Sequence, residues 1–331
     1  MDKNMFKNKY LLSSASIFAV AASMIAGVAF AQSYPTKPVR IVVGVVAGGL
    51  SDNIARAIAG ELSKLWGQSV LIENRVGASD IVAADAVAKS PADGYTIYQT
   101  NGTLTMVNAL LRKNLPYDFE RDFTPVIGVV RTSDVLVVKN ALGVNSVAEL
   151  IAMARAKPGA LNYGSFGTGS AAHLDAEKFN VAASIRTTHV PYKGGADVAK
   201  ALLTGEIDFS FNGLSSVLGM IRGGQVRALA WGAPERSPAI PDVPTLKEVG
   251  YDFETGGWLG FFVPAATPRP VVERISADTS KVIAVPAFRD KFILGVGLEP
   301  MNVPMAQFAT VVKESKASYV SLFSKVSIKM E

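Results

Sequence analysis

The 331-residue chain contains no cysteine, which removes disulfides, thiolate nucleophiles and thiolate metal ligands in any compartment. Histidine is almost missing as well. His173 and His189 are the two in the chain, too few and too isolated for a histidine-based metal site. No Walker loop or G-x-G-x-x-G fingerprint follows any strand-like run. Ser165 has Tyr163 rather than glycine two places before it, so the G-x-S-x-G nucleophile elbow is absent. Basic residues are dispersed, with no run and no aromatic-interleaved patch, which argues against nucleic acid. The residues therefore point to no metal, no cofactor and no catalytic residue.

Long apolar runs are also scarce, with one exception at the start. Lys3, Lys7 and Lys9 precede an apolar stretch from Leu11 to Ala29, and Ala29-Phe30-Ala31 has the small residues of a signal-peptidase site. That order reads as a secretory signal peptide over residues 1–31, cleaved after Ala31. The rival reading is a membrane anchor, since the run approaches the roughly 20 residues that span a bilayer; its serine- and alanine-rich composition favours cleavage. Removing 1–31 takes three lysines and one aspartate from the 33 basic and 28 acidic residues. The mature 300 residues then carry a small positive excess, compatible with small anionic ligands. A chain of this length predicts two domains or lobes.

What the chain does contain is an alternation of strands and helices. Pro38–Val46 is a continuous apolar run, as expected of a strand covered on both faces. It leads through Ala47-Gly48-Gly49-Leu50-Ser51-Asp52 into a helix over Asn53–Trp66, with Ser51 or Asp52 as its cap and Ile54, Ile58, Leu62 and Leu65 at helical spacing. Strands Val70–Asn74 and Tyr95–Gln99 flank a helix opening at Gly77-Ala78-Ser79-Asp80. The polar break Arg131-Thr132-Ser133-Asp134 reads as a crossing into a second lobe, where the alternation restarts. Trp258–Val263 reads as the return, followed by helices Arg269–Ile283, Pro286–Leu294 and Pro304–Phe323. The fold class is α/β, two lobes with parallel sheets joined by two crossings. Lobe 1 takes residues 32–131 plus 253–331, lobe 2 residues 132–252, and ligands belong at the carboxyl ends of the strands.

Three loops share one layout, an apolar strand, then small or hydroxylic residues, then a helix. They are Gly48–Asp52, Thr100-Asn101-Gly102-Thr103, and Ser165-Phe166-Gly167-Thr168-Gly169-Ser170. Glycines there let a ligand approach the backbone closely, and hydroxyls join the free N–H groups of a helix start. Two such loops from different lobes would clamp an anion from both sides. The plainer reading is a set of capped βα turns with no ligand at all. His173 lies three residues after Ser170, on the same helix face; it is either half of a Ser–His couple or a buried or capping histidine. His189 has no partner in sequence. Phe166, Tyr192 and Trp258 either wall a pocket or pack.

Beyond these local readings, the chain resembles the Bug family, the extracytoplasmic solute-binding receptors of tripartite tricarboxylate transporters. The resemblance rests on Tyr34-Pro35-Thr36-Lys37-Pro38, Glu73-Asn74-Arg75, Ala92-Asp93-Gly94-Tyr95-Thr96, Leu161-Asn162-Tyr163-Gly164-Ser165, His189-Val190-Pro191-Tyr192-Lys193-Gly194 and Pro241-Asp242-Val243-Pro244-Thr245. It implies a type II periplasmic binding-protein fold whose lobes close on a small carboxylate ligand by a hinge motion near Arg131–Asp134 and Asp252–Gly256. It also implies a periplasmic location and delivery to the permease subunits of a tripartite transporter by a monomer. By the same resemblance the ligand carboxylate falls to Gly48, Gly49, Ser51 and Asp52 in one lobe, with Leu50 a candidate beside them, and to Ser165, Thr168, Gly169 and Ser170 in the other. His173, Asn101 and Asn212 are further candidates. Two departures stand out: Leu50 occupies a position where glycine is usual, and Asp80 puts a carboxylate in a glycine-rich turn. Asp80 is either an N-terminal helix carboxylate or, with Phe166 and Tyr192, a specificity residue facing the ligand. Two readings stay open beside transport: a receptor presenting its ligand to a membrane sensor kinase, and an exported Ser/His hydrolase.

Overall fold

The computed structural model describes residues 34–326 and 328; the leader read at 1–31 lies outside them. Two sheets organise the chain. The first has six strands in the order β11-β4-β10-β3-β1-β2, the second five in the order β7-β6-β8-β5-β9. Within the first, β1 (Val39–Val43), β2 (Val70–Asn74) and β3 (Thr96–Asn101) run parallel, with β1 in the middle. Then β10 (Gly257–Pro264) enters antiparallel between β3 and β4 (Phe123–Thr132), and β11 (Glu299–Pro304) closes the edge.

In the second sheet β6 (Asn162–Ser165) pairs in parallel with β7 (Thr188–Pro191) and β8 (Phe209–Gly213). The antiparallel strand β5 (Asp134–Lys139) lies between β8 and β9 (Val226–Trp231). Val135, Leu136, Val137 and Val138 of β5 are all fully buried, because helices cover both faces of the sheet. The chain passes from one sheet to the other at Ser133, between β4 and β5, and returns between Trp231 and Gly257.

Helices follow most strands. In the first lobe these are α1 (Leu50–Trp66), α2 (Ile81–Ala88), α3 (Gly102–Leu111) and the short α4 (Phe119–Asp122). The second lobe carries α5 (Val147–Ala156), α6 (Ala171–Ala183), α7 (Gly195–Thr204) and α8 (Leu214–Arg222). The C-terminal part supplies α9 (Arg269–Ala284), α10 (Pro286–Phe292) and α11 (Met305–Phe323). Separate apolar cores flank each sheet. Gly260 of β10 is small for a reason: a Cβ there would lie 2.2 Å from the Phe308 ring of α11.

Several local expectations change. Helix α1 starts at Leu50 rather than Asn53, and neither Ser51 nor Asp52 caps it; the cap position is Gly49, with no side-chain hydrogen bond. The polar stretch Thr100–Thr103 is no loop, since β3 runs through Asn101 and α3 begins at Gly102. The Asn101 side chain accepts the Leu104 N–H at 2.9 Å, so the strand turns directly into a capped helix. Asn101→Ala should cost about 1 kcal/mol, read as a lower midpoint in urea denaturation.

Candidate functional site

The first loop is held open by an internal anchor. Asp52 is completely buried and accepts four hydrogen bonds: from the Gly48 N–H at 2.8 Å, from Arg56 at 2.7 and 3.0 Å, and from Asn74 Nδ2 at 2.8 Å. Burial pushes its pKa up, but the bonds from Arg56, Gly48 and Asn74 outweigh that and hold it at about 2. Asn74 Nδ2 also donates to the Val45 carbonyl at 3.0 Å, tying the loop to β2. Ser51 faces β3, where Gln99 Nε2 donates to both its carbonyl and its Oγ at 2.7 Å. Asp52 and Ser51 shape the loop. The free N–H groups behind Gly49 are left to face outward.

The second loop is fixed from within lobe 2 by both histidines. Ser165 is fully buried, and its Oγ lies 2.6 Å from His189 Nε2. The Gly167 N–H reaches the same Oγ at 3.2 Å, and the Gly169 N–H donates to His173 Nδ1 at 3.0 Å. Gly167 and Gly169 have φ values of +111° and +79°, a region that suits glycine. The two imidazoles stack at 4.0 Å, with Tyr163 lying over His189 at 5.0 Å. Burial holds the pKa of each histidine down to about 4, with His173 adding repulsion at His189. A neutral His173 keeps the Nδ1 lone pair that receives Gly169. The serine–histidine contact thus exists, but with His189 rather than His173, and it braces the loop. Sequence reading missed it because the pairing comes from strand register: β6 and β7 set Tyr163 opposite His189.

Between the lobes lies a cavity of about 370 Å³. Five helices present their first turns to it: α1 at Leu50, α3 at Thr103 and Leu104, α6 at Ala171, α7 at Gly195, and α8 at Leu214 and Ser215. Three of the five, α1, α7 and α8, have glycine cap residues with no side-chain cap, so N–H groups at those ends are free for a ligand. No lysine, arginine or histidine lines the cavity among the described residues. An anion placed here would meet backbone N–H groups, hydroxyls and helix dipoles, beside apolar side chains and Asp134, the one acidic residue of the lining.

The sequence candidates distribute unevenly around this cavity. Leu50, Asn101, Phe166 and Ser170 line it. Gly48, Gly49, Thr168 and Gly169 belong to the loops at its edge, with Thr168 exposed. Asp52, Ser165, His173 and Asn212 are buried behind the lining. Tyr192 lies off the cavity, its hydroxyl 3.4 Å from Glu206. Asp80 stands at the N-cap position of α2, as the helix-start reading expected, and not in the cavity lining. Its carboxylate makes no helix-capping bond; Oδ2 accepts from Tyr98 at 2.7 Å and Thr100 at 2.6 Å, while Oδ1 sits over Gly44. Burial raises its pKa to about 6 despite the Thr100 and Tyr98 bonds. The N-termini of α7 and α8, capped by Gly194 and Gly213, were not among the candidate loops of the sequence.

At the floor of the cavity the two crossings are stitched together. The Asp134 N–H donates to Thr255 Oγ1 at 3.0 Å, and that hydroxyl donates to the Asp134 carbonyl at 2.8 Å. Asp175 of α6, fully buried, accepts the Gly256 N–H at 2.6 Å and Lys178 Nζ at 3.0 Å. The Asp134 and Asp175 carboxyl groups are close enough to repel each other when both are charged. Burial, then repulsion from Asp175, pushes the Asp134 pKa well up, so Asp134 carries a proton and Asp175 the charge that Lys178 balances.

The comparisons with known proteins agree with the two-lobed fold. A family model described as tripartite tricarboxylate transporter family receptor matches residues 54–328. The chain is 33% identical to the protein BugT of Bordetella pertussis over 284 residues, 85% of this chain and 87% of that one. Among solved structures, Rpa4515 of R. palustris, determined with adipate, has a TM-score of 0.77 at 33% identity, covering 89% of this chain and 99% of that one. MatC from Rhodopseudomonas palustris, with bound malate, has a TM-score of 0.72 at 28% identity, covering 87% and 99%.

Proposed function

Since the chain belongs to the family of tripartite tricarboxylate transporter receptors, we propose that it captures a small carboxylate between its lobes and hands it to the permease subunits of such a transporter. The observation that carries this reading is the convergence of five helix N-termini on one interlobe cavity that has no cationic side chain among the described residues. Such a site holds an anion by dipoles and hydrogen bonds and releases it without breaking a salt bridge. The adipate and malate bound by two relatives are carboxylates of suitable size.

In this reading the lobes, 32–131 with 253–331 and 132–252, close about the stitched crossings at 131–134 and 252–256. The protein works as a periplasmic monomer after cleavage behind Ala31. The grip comes from the free N–H groups behind Gly49, from Ser170 and from the loop that Ser165 braces. Calorimetric titration against a panel of mono- and dicarboxylates tests it. At least one acid should bind and be recovered unaltered. The Ser165→Ala, Ser170→Ala double variant should bind that acid at least tenfold more weakly, because it loses a hydrogen bond to a charged group at Ser170 and the brace of the loop at Ser165. A panel with no binder, or a double variant of full affinity, would refute the assignment.

A further inference from the structure

One acid lines the interlobe cavity, where an anion held by helix N-termini has to share the space with it. Asp134 opens β5 at the cavity floor and pairs in register with Gly213, the cap residue of α8. Its backbone N–H and C=O are both bonded to the Thr255 hydroxyl. The residue is 5% exposed. Oδ2 is covered and has no hydrogen-bond partner, while Oδ1 lies 3.8 Å from where a Cβ on Gly213, itself part of the lining, would stand. That puts Oδ1 on the cavity side of the carboxyl group. The cation that faces Asp134, Lys178, donates to Asp175 instead, at 3.0 Å. Burial and repulsion from Asp175 keep Asp134 neutral, and a neutral carboxyl has an O–H to donate.

We propose that Asp134 binds the ligand as a neutral acid: its O–H donates to a carboxylate oxygen of the captured anion, and ionisation of Asp134 expels that anion. The inference rests on the carboxylate reading above and adds a proton to it. An O–H bond to a carboxylate is charge-assisted and short, the strong kind of hydrogen bond. Ionised, Asp134 would set a second negative charge beside the ligand and compete with it for the free N–H groups at the start of α8. The opposite use of a lining acid is to grip an ammonium group on the ligand. That use needs the charged form and sets a cation against five positive helix ends. The two uses have opposite pH dependence.

Above pH 7 this proton can be read without interference. Free carboxylic acids are ionised there, and His173, His189 and Asp80 titrate below it, at about 4, 4 and 6. Of the groups facing Asp134, Asp175 is paired with Lys178. Burial lowers the Lys178 pKa, but Asp175 more than offsets that, and burial pushes Tyr319 of α11 up. The test titrates adipate, malate and any further binder of the carboxylate panel calorimetrically into the wild type and two variants at pH 7, 8 and 9.5. Wild-type affinity should fall at least tenfold as pH rises across this range. Asp134→Asn keeps a donor but cannot ionise, so its affinity should vary less than about threefold, leaving it the tighter binder at pH 9.5. Asp134→Leu has the shape without the donor and should bind at least tenfold more weakly than Asp134→Asn at pH 7. At pH 8.5, titration in two buffers of different ionisation enthalpy should show wild type taking up a proton with the acid and Asp134→Asn taking up none. A wild-type affinity that stays level or rises with pH, an Asp134→Asn profile that falls like the wild type, or equal binding by the two variants would each overturn the assignment. If no acid of the panel binds at any pH, the carboxylate reading itself fails, and this proposal with it. A binder with a level profile removes Asp134 alone.

Discussion

Replacing Asp175 with alanine is expected to lower the unfolding free energy by about 3–5 kcal/mol, the cost of stranding a buried partner of an ion pair. Lys178 is the stranded partner: its side chain is 14% exposed, and its Nζ lies over the Tyr319 ring at 5.2 Å. The same substitution orphans the Gly256 N–H. Asp134→Asn should behave quite differently. If Asp134 holds a proton, an amide replaces a neutral carboxyl of the same shape, so the change should stay within about 1 kcal/mol. Urea denaturation of both variants at pH 7 reads the contrast. Equal losses would mean that the charge and the proton are not divided between the two acids in this way. The arrangement bears on function because α6 begins at the Ser170 loop and, through Asp175, grips Gly256 in the second crossing. Movement of that helix on ligand capture would be felt at the hinge.

The fold was more legible in the sequence than the site. Runs such as Val39–Val43 and Val135–Val138 are apolar because both faces of a sheet are covered, and that signal is local. The strand β11, Glu-Pro-Met-Asn-Val-Pro, lies at an edge with only one strand partner; its polar, proline-containing sequence carried no strand pattern. The two clamp loops could be flagged from their glycines and hydroxyls. Which groups face the ligand and which brace the loop could not, because that depends on partners far away in sequence. Ser165 meets His189 through β6–β7 register, and Asp52 turns inward because Arg56 and Asn74 are there to receive it. Asp134 and Asp175 looked unremarkable, one in a polar break and the other inside a helix, until the fold set their carboxyl groups together.

The remaining prediction concerns acid, where two opposing groups nearly cancel. In the unfolded chain each histidine takes up its proton near pH 6.5; in the fold His173 and His189 resist until about pH 4. Across that window the unfolded state binds more protons, so the histidines make stability fall as pH falls. Shifts of this size correspond to about 3 kcal/mol each. Partial exposure of His189 reduces the sum to about 3–5 kcal/mol. Asp80 works the other way. It takes its proton in the fold at about pH 6 and in the unfolded chain near 3.8, so the fold gains as pH falls through that range. Asp134 pulls in the same direction as Asp80. Asp52, held at about 2, loses its contribution only below about 3.8. The wild type should therefore change by no more than about 2 kcal/mol between pH 7 and 4.5. Asp80→Asn removes one counterweight, and asparagine accepts the left-handed backbone at this position, where φ is 77°. That variant should be more stable than wild type at pH 7 by about 2–3 kcal/mol and should lose that advantage by pH 4.5. Urea midpoints at the two pH values decide it. The two imidazoles, the only ones in the chain, should titrate by NMR with midpoints near 4 in both proteins. An Asp80→Asn protein that is weaker at pH 7, or histidines that titrate near 6.5, would show that the carboxylate is not buried at a cost or that the loop is not braced by neutral rings. Because Gly169 donates to the His173 lone pair, protonation below about pH 4 should also release the clamp loop. Ligand affinity should then collapse at a pH where the fold itself still stands.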